Sequence, residues 1–166
     1  MSIDNKIWLD LVHAKKGDEY LVLYLCRQRD IRKYFKIVTI VFSAGGAMGW
    51  AIWKPIAGFA CAVIALVQLL GSIESFLIHN EDQLESLSKL RLLYYDRANR
   101  LEELWHDLVK NKVTDEEAST VFFELRKSAK EIEDLDNKLN IKKVKKLDAE
   151  AQYKTKVYLD TYHFSN

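Results

Sequence analysis

The sequence predicts an all-α membrane protein, a two-helix transmembrane hairpin with a cytoplasmic helical bundle. Three observations carry that prediction. Residues 35–78 bear charge only at Lys36, Lys54 and Glu74. The chain has one proline and six glycines in 166 residues, a composition of long helices and short connections. Hydrophobic residues make up 49% of it, yet the mean hydropathy is −0.18, so the apolar residues are concentrated and the remainder is highly charged.

The hairpin comes first because everything else is placed relative to it. A helix rises about 1.5 Å per residue and a bilayer core is roughly 30 Å thick. The stretches 37–53 and 56–73 are read as short spans, joined only by Lys54 and Pro55. Proline suits the first position of a restarting helix, where its missing N–H has no partner to lose. Neither stretch has a polar face at helical period. Trp50 and Trp53 at one end, and Tyr34 and Phe35 at the other, sit where an aromatic belt places such rings. Arg27, Arg29, Arg32, Lys33 and Lys36 precede the first span, against one lysine in the turn, so both termini are expected in the cytoplasm. Three segments follow: N-terminal cytoplasmic or interfacial helices over 1–34, the hairpin over 35–78, and a cytoplasmic helical region over 79–166.

Polar and small residues inside the hairpin are the candidate site. Ser43, Gln68 and Glu74 are the intramembrane polar set. Folding the hairpin about its turn brings Lys36 level with Glu74, which reads either as a pair fixing register or as a ring of carboxylates at a pore mouth. Gln68 hydrogen-bonds between helices or lines a polar path. Gly45 and Gly49 form a GxxxG spacing, and Ala57, Cys61 and Ala65 repeat small residues every fourth position. Both patterns permit close helix approach, within one hairpin or between copies.

Outside the hairpin the helices are amphipathic. Ile7, Trp8, Leu11 and Val12 make an apolar face; Gly17 is expected to interrupt it, with Asp18 capping the next helix. The apolar residues from Tyr20 to Leu25 are too many for one membrane-facing stripe and are expected to pack against the C-terminal helices. Leu84, Leu87, Arg91, Tyr94, Ala98, Leu101, Trp105 and Leu108 follow a 3-4 spacing, a heptad seam with one arginine in it. Leu84, Leu87, Tyr94, Leu101, Trp105 and Leu108 are the oligomerisation candidates. With no glycine or proline after Gly71, this helix is expected to continue the second span. Thr114 and Glu117 form the S/T-x-x-E capping box that opens the next helix. Asn137–Asn140 marks a break, and a last helix runs over roughly 148–162. Lys142, Lys143, Lys145 and Lys146 read as a solvated face or as a site for a phosphate-bearing partner.

The net charge of +1 gives no general pull toward nucleic acid, so no direct nucleic-acid binding is expected. Cys26 and Cys61 form no CxxC motif or disulfide framework, and both suit a reducing compartment. No signal peptide is expected, since no early basic and apolar segment ends in a small-residue cleavage site. No nucleotide-binding, zincin or hydrolase motif occurs. The four histidines are scattered. His106 and Asp107 are adjacent, and neighbouring residues on a helix do not face each other. Carboxylate pairs such as Glu102–Glu103 fall on charged helix faces. No catalytic residue, metal or cofactor is assigned, and no enzymatic activity is expected.

The layout of N-terminal helix, tight hairpin and the following "LSKLRLLYYDRANRLEELWHDL" resembles the SLATT family of bacterial two-transmembrane effectors, over roughly Ile7–Leu139. The resemblance implies a pore-forming or depolarising effector of the inner membrane in antiphage defence. It also implies a homo-oligomer in the lipid bilayer, triggered by a cytoplasmic sensor protein or a nucleotide second messenger. The alternative is a non-conducting anchor or scaffold that presents a helical bundle to a cytoplasmic partner.

Overall fold

A computed structural model describes residues 2–52, 65, 68, 69 and 80–163. Four helices are delimited among them: α1 (Ile3–Ile52), α2 (Glu81–Val109), α3 (Asp115–Leu139) and α4 (Lys145–His163). They divide into two compact units, one of Met1–Leu25 with Gln83–Asn166, the other of Cys26–Asp82.

The all-α prediction agrees with these helices; its membrane part does not. No helix among the described residues is long and apolar enough to cross a membrane. The reason is visible in α1. The predicted first span is the end of a 50-residue helix that carries Arg27, Arg29, Asp30, Arg32, Lys33 and Lys36 just before it. Its apolar part from Ile37 to Ile52 is about 24 Å long, short of the roughly 30 Å a bilayer core demands. The turn at Lys54–Pro55 and most of the second span lie outside the described residues. The transmembrane hairpin, the pore reading and the placement in an inner membrane are corrected accordingly.

The first unit is built on α1. Ile7, Leu11 and Ala14 join Ala98, Leu101, Leu104, Leu108, Ala118, Phe122, Leu125 and Leu159 in one buried cluster. Tyr20, Leu21, Tyr24 and Leu25 join Leu87, Leu90, Ile132 and Ala151 in a second. The N-terminal segment therefore packs against the C-terminal helices, as its apolar excess predicts. Each fully buried leucine or isoleucine of this kind contributes about 1.5–3 kcal/mol.

Polar contacts set the direction of the helices. On α1 and α2, Asp10 pairs with Arg97 (2.6 Å) and Asp18 with Arg91 (3.0 Å), so rising numbers on one meet falling numbers on the other and the helices are antiparallel. Arg97 is buried and also donates to the Leu125 carbonyl of α3. Lys89 of α2 meets Glu131 of α3 at 2.9 Å, again an antiparallel pairing. Lys16 of α1 reaches Asp148 of α4 at 3.0 Å.

Gly17 does not break α1, and Asp18 caps nothing; the helix runs through both. Asp18 is 3% exposed and spends its carboxylate on Arg91. Gly17 is required by close approach: a Cβ there would stand 2.6 Å from two ring carbons of Tyr94.

The remaining boundaries have local causes. Asn80 is not helical, and α2 begins at Glu81 with Glu81 and Asp82 in its first turn, where acids complement the helix dipole. This corrects the expectation of an unbroken helix from the second span. Past the end of α2, Asn111 has φ 54° and its N–H donates to the Leu108 carbonyl. Asparagine is among the few residues that enter the left-handed region readily. The expected capping box is present: the Thr114 hydroxyl accepts from the Glu117 N–H, and the Glu117 carboxylate accepts from the Thr114 N–H. Asn140, left-handed at φ 45°, ends α3 within the predicted break. The α3–α4 link is held by Tyr20, whose hydroxyl accepts from the Val144 N–H (3.1 Å) and donates to the Lys142 carbonyl (3.5 Å).

Two stability measurements test this packing. Gly17→Ala is expected to lower the urea unfolding free energy by about 1–3 kcal/mol, the scale of overpacking in a full core. The loss should vanish in a Tyr94→Leu background, and a loss that persists there sinks the close-approach explanation. Thr155 is 3% exposed, and its hydroxyl has no hydrogen-bond partner among the described residues. Thr155→Val should therefore raise stability by about 1 kcal/mol, since it removes an unsatisfied buried polar group.

Candidate functional site

Within the first unit, chemistry-bearing side chains gather where the start of α1 meets the last turns of α2 and α4. Helical spacing explains the grouping. Glu102 and Trp105 lie three apart on α2, and Tyr158 and Tyr162 four apart on α4, so each pair shares a side of its helix. Trp8 of α1 completes the set, its ring 4.9 Å from that of Trp105 at 46°.

Glu102 is the centre of the polar chemistry. Its two carboxylate oxygens lie 3.1 and 3.0 Å from the Tyr158 hydroxyl, which donates to them. His163 Nε2 lies 2.8 Å from Glu102 Oε1, with the histidine side chain 9% exposed and the glutamate 24%. The imidazole meets both indoles edge to face, at 5.5 Å and 88° from Trp8 and 5.0 Å and 86° from Trp105. Tyr162 packs on Tyr158 at 4.7 Å, and the Lys15 ammonium stands 4.1 Å above the Tyr158 ring. Tyr95 is within electrostatic reach of Tyr158, and the Arg91 guanidinium lies 6.0 Å from the Tyr95 ring.

The environment of Tyr158 is legible in its acidity. Burial, and then the hydrogen bond and negative charge of Glu102, push its pKa up from 10.0 to about 12. Each disfavours a phenolate. Elsewhere, Lys112 bonded to Asp107 at 2.8 Å holds that carboxyl below its usual range. His106 Nδ1 does come within 3.6 Å of Asp107, closer than adjacency on a helix suggests, but both are surface groups and Lys112 is the shorter contact. Lys16 likewise keeps Asp148 below its usual range, with Lys143 adding a contact at 3.7 Å.

The predicted site residues fare differently. Ser43, Gly45 and Gly49 are helical positions of α1. Ala65 and Gln68 are helical and exposed. Ala57, Cys61 and Glu74 lie outside the described residues, and with Glu74 the proposed register pair of Lys36; Lys36 itself is exposed. The heptad seam is used within the chain. Leu87, Leu101 and Leu108 are buried in the unit's own core, with Leu84, Tyr94 and Trp105 packed against it. Of the lysine cluster, Lys142 contributes its carbonyl to Tyr20 and Lys143 its ammonium to Asp148, while the side chains stay exposed or at the surface. Among the described residues no three His, Cys, Asp or Glu side chains come together in a way that could hold a metal ion.

Sequence reasoning missed Glu102, Tyr158 and His163 as partners. They are separated by 56 and 61 positions, so no spacing rule connects them. The available hint was Glu102 beside the seam, one turn before Trp105. Comparison of the chain with family models, with curated proteins and with solved structures yields no match.

The acidity of Tyr158 has a measurable consequence. A pKa raised above the unfolded value contributes stability that is fully present below about pH 10 and is lost as pH rises through 12. Tyrosinate absorbance should show one tyrosine titrating near 12, and Glu102→Gln should lower that value while leaving the part due to burial. A titration unchanged in Glu102→Gln removes the carboxylate from the explanation.

Proposed function

We propose that this protein acts by binding: the unit of Met1–Leu25 and Gln83–Asn166 is a helical scaffold that presents an aromatic seam to a protein partner. The observation that carries this reading is the composition of the seam. Tyr95, Tyr158, Tyr162, Trp8 and Trp105 are gathered on three helices and edged by Arg91, Lys15 and Glu102. Tyrosine, tryptophan and arginine are the residues that dominate binding energy at protein interfaces. Tyr95 is 44% exposed and Tyr162 71%, so the rim of the seam faces outward, with its inner members anchored to the core. Such rings present large contact area at small conformational cost. No reaction is assigned to the site: Glu102 is engaged on both sides, and Tyr158 is made less acidic by its surroundings.

Site-specific photocrosslinking tests the reading. A benzophenone side chain at position 95 or 162 should form one discrete adduct in cells, and the same group at exposed position 127 on α3 should not. Sedimentation velocity on the purified protein then tells whether the partner is a second copy. Equal adducts at all three positions, or none at 95 and 162, would count against the seam as an interface.

A further inference from the structure

We propose that the pocket formed by Trp8, Trp105, Tyr158 and Glu102 is an arginine-binding site, filled in this structure by the chain's own His163. The inference deepens the binding function above and rests on it, by naming the partner group: an arginine side chain of a protein.

The argument begins with what His163 does there. It is a flat nitrogen ring with one N at 2.8 Å from a carboxylate oxygen and its plane nearly perpendicular to two indoles. These are the contacts a planar nitrogen cation makes: a carboxylate acceptor in front and aromatic rings at the sides. The carboxylate is prepared for that role. The Tyr158 hydroxyl donates across both Glu102 oxygens, sharing Oε1 with His163, and so fixes the carboxylate without supplying a positive charge. The indoles are held in turn, since Trp8 and Trp105 pack on each other and on the core.

The chemistry separates arginine from lysine. A guanidinium is planar, weakly hydrated and always charged, and it stacks on aromatic faces while donating to a carboxylate. An ammonium is compact and strongly hydrated, and resists transfer from water to a site walled by indoles. Lys15 already covers the Tyr158 ring, at 4.1 Å, which leaves the indoles and Glu102 as the walls for an incoming cation. Glu102, which meets His163 directly, is the carboxylate an incoming cation would reach there.

His163 is placed to yield. It lies in the last turn of α4, beyond Ala151, Thr155 and Leu159, which hold that helix to the core. Its withdrawal frays one helix end and leaves those three contacts in place. While it occupies the pocket it competes with any arginine, so the affinity measured in the wild type is reduced by the fraction of time the pocket is open.

The test uses N-acetyl-arginine amide as probe, read by the indole N–H resonances of Trp8 and Trp105 in the full chain. Wild type should bind weakly and saturably, His163→Ala about tenfold more tightly. Glu102→Gln should lose binding, and N-acetyl-lysine amide should bind at least about tenfold more weakly than the arginine probe. The proposal is overturned if His163→Ala binds no more tightly, if Glu102→Gln binds unchanged, or if the lysine probe binds as well. Should His163→Ala lose helicity, the wild type decides alone. The probe must then shift the His163 ring resonances with the same midpoint as the indoles, and an unmoved His163 is a negative result. Probe binding without photocrosslinks would remove the protein partner and keep the pocket; photocrosslinks without probe binding would do the reverse.

Discussion

The packing of the first unit depends on how closely α1 and α2 approach at Gly17 and Tyr94. The Tyr94 ring lies where a side chain at position 17 would be, and charged pairs stand on either side of it along α1, Asp10 with Arg97 and Asp18 with Arg91. Apolar packing alone tolerates sliding of one helix by a turn. A buried carboxylate, Asp18, and a buried guanidinium, Arg97, that must each find a partner do not, because an unpaired buried charge costs several kcal/mol. The pairs therefore select one register, and the missing side chain of Gly17 makes that register reachable. Arg97 extends the constraint to α3 through the Leu125 carbonyl, so one residue ties three helices.

That register places the aromatic seam. Beyond the Asp10–Arg97 pair toward the start of α1, Trp8 meets Trp105 of α2. The fourth helix is held to α1 by Lys16 on Asp148 and by Lys15 over Tyr158, which brings Glu102, Tyr158 and His163 to the same place. The same polar contacts that specify the fold thus assemble the candidate binding surface. Shape and charge at the seam are products of helix register, not of any local motif.

Much of the helical layout could be read in advance, and the reasons are local. The Thr114–Glu117 capping box and the break at Asn140 follow from short-range hydrogen bonding and turn chemistry. Gly17 misled because helix propensity counts it as a weak point, whereas a neighbouring ring can make it necessary. Residues 35–78 misled in another way. Apolar content invites a membrane reading, but α1 offers too short an apolar run at the end of a charged helix, and no described helix meets the requirement. The heptad seam of α2 was visible as a seam; spacing carries no information on whether its partner is another chain or the same one.

What the sequence determined alone is the helical character of the charged parts of the chain, the Thr114 cap that opens α3 and the break that closes it, and the apolar seam of α2. Those properties depend on contacts within about four residues, and such contacts are written in order along the chain. Tertiary structure decided which face meets which, that Arg97 is buried and paired with Asp10 while Arg91 pairs with the buried Asp18, and that Glu102 gathers Tyr158 and His163. Those contacts join residues more than fifty positions apart, where the partner of a side chain is chosen by packing and charge neutralisation over the whole unit, and no local pattern records the choice.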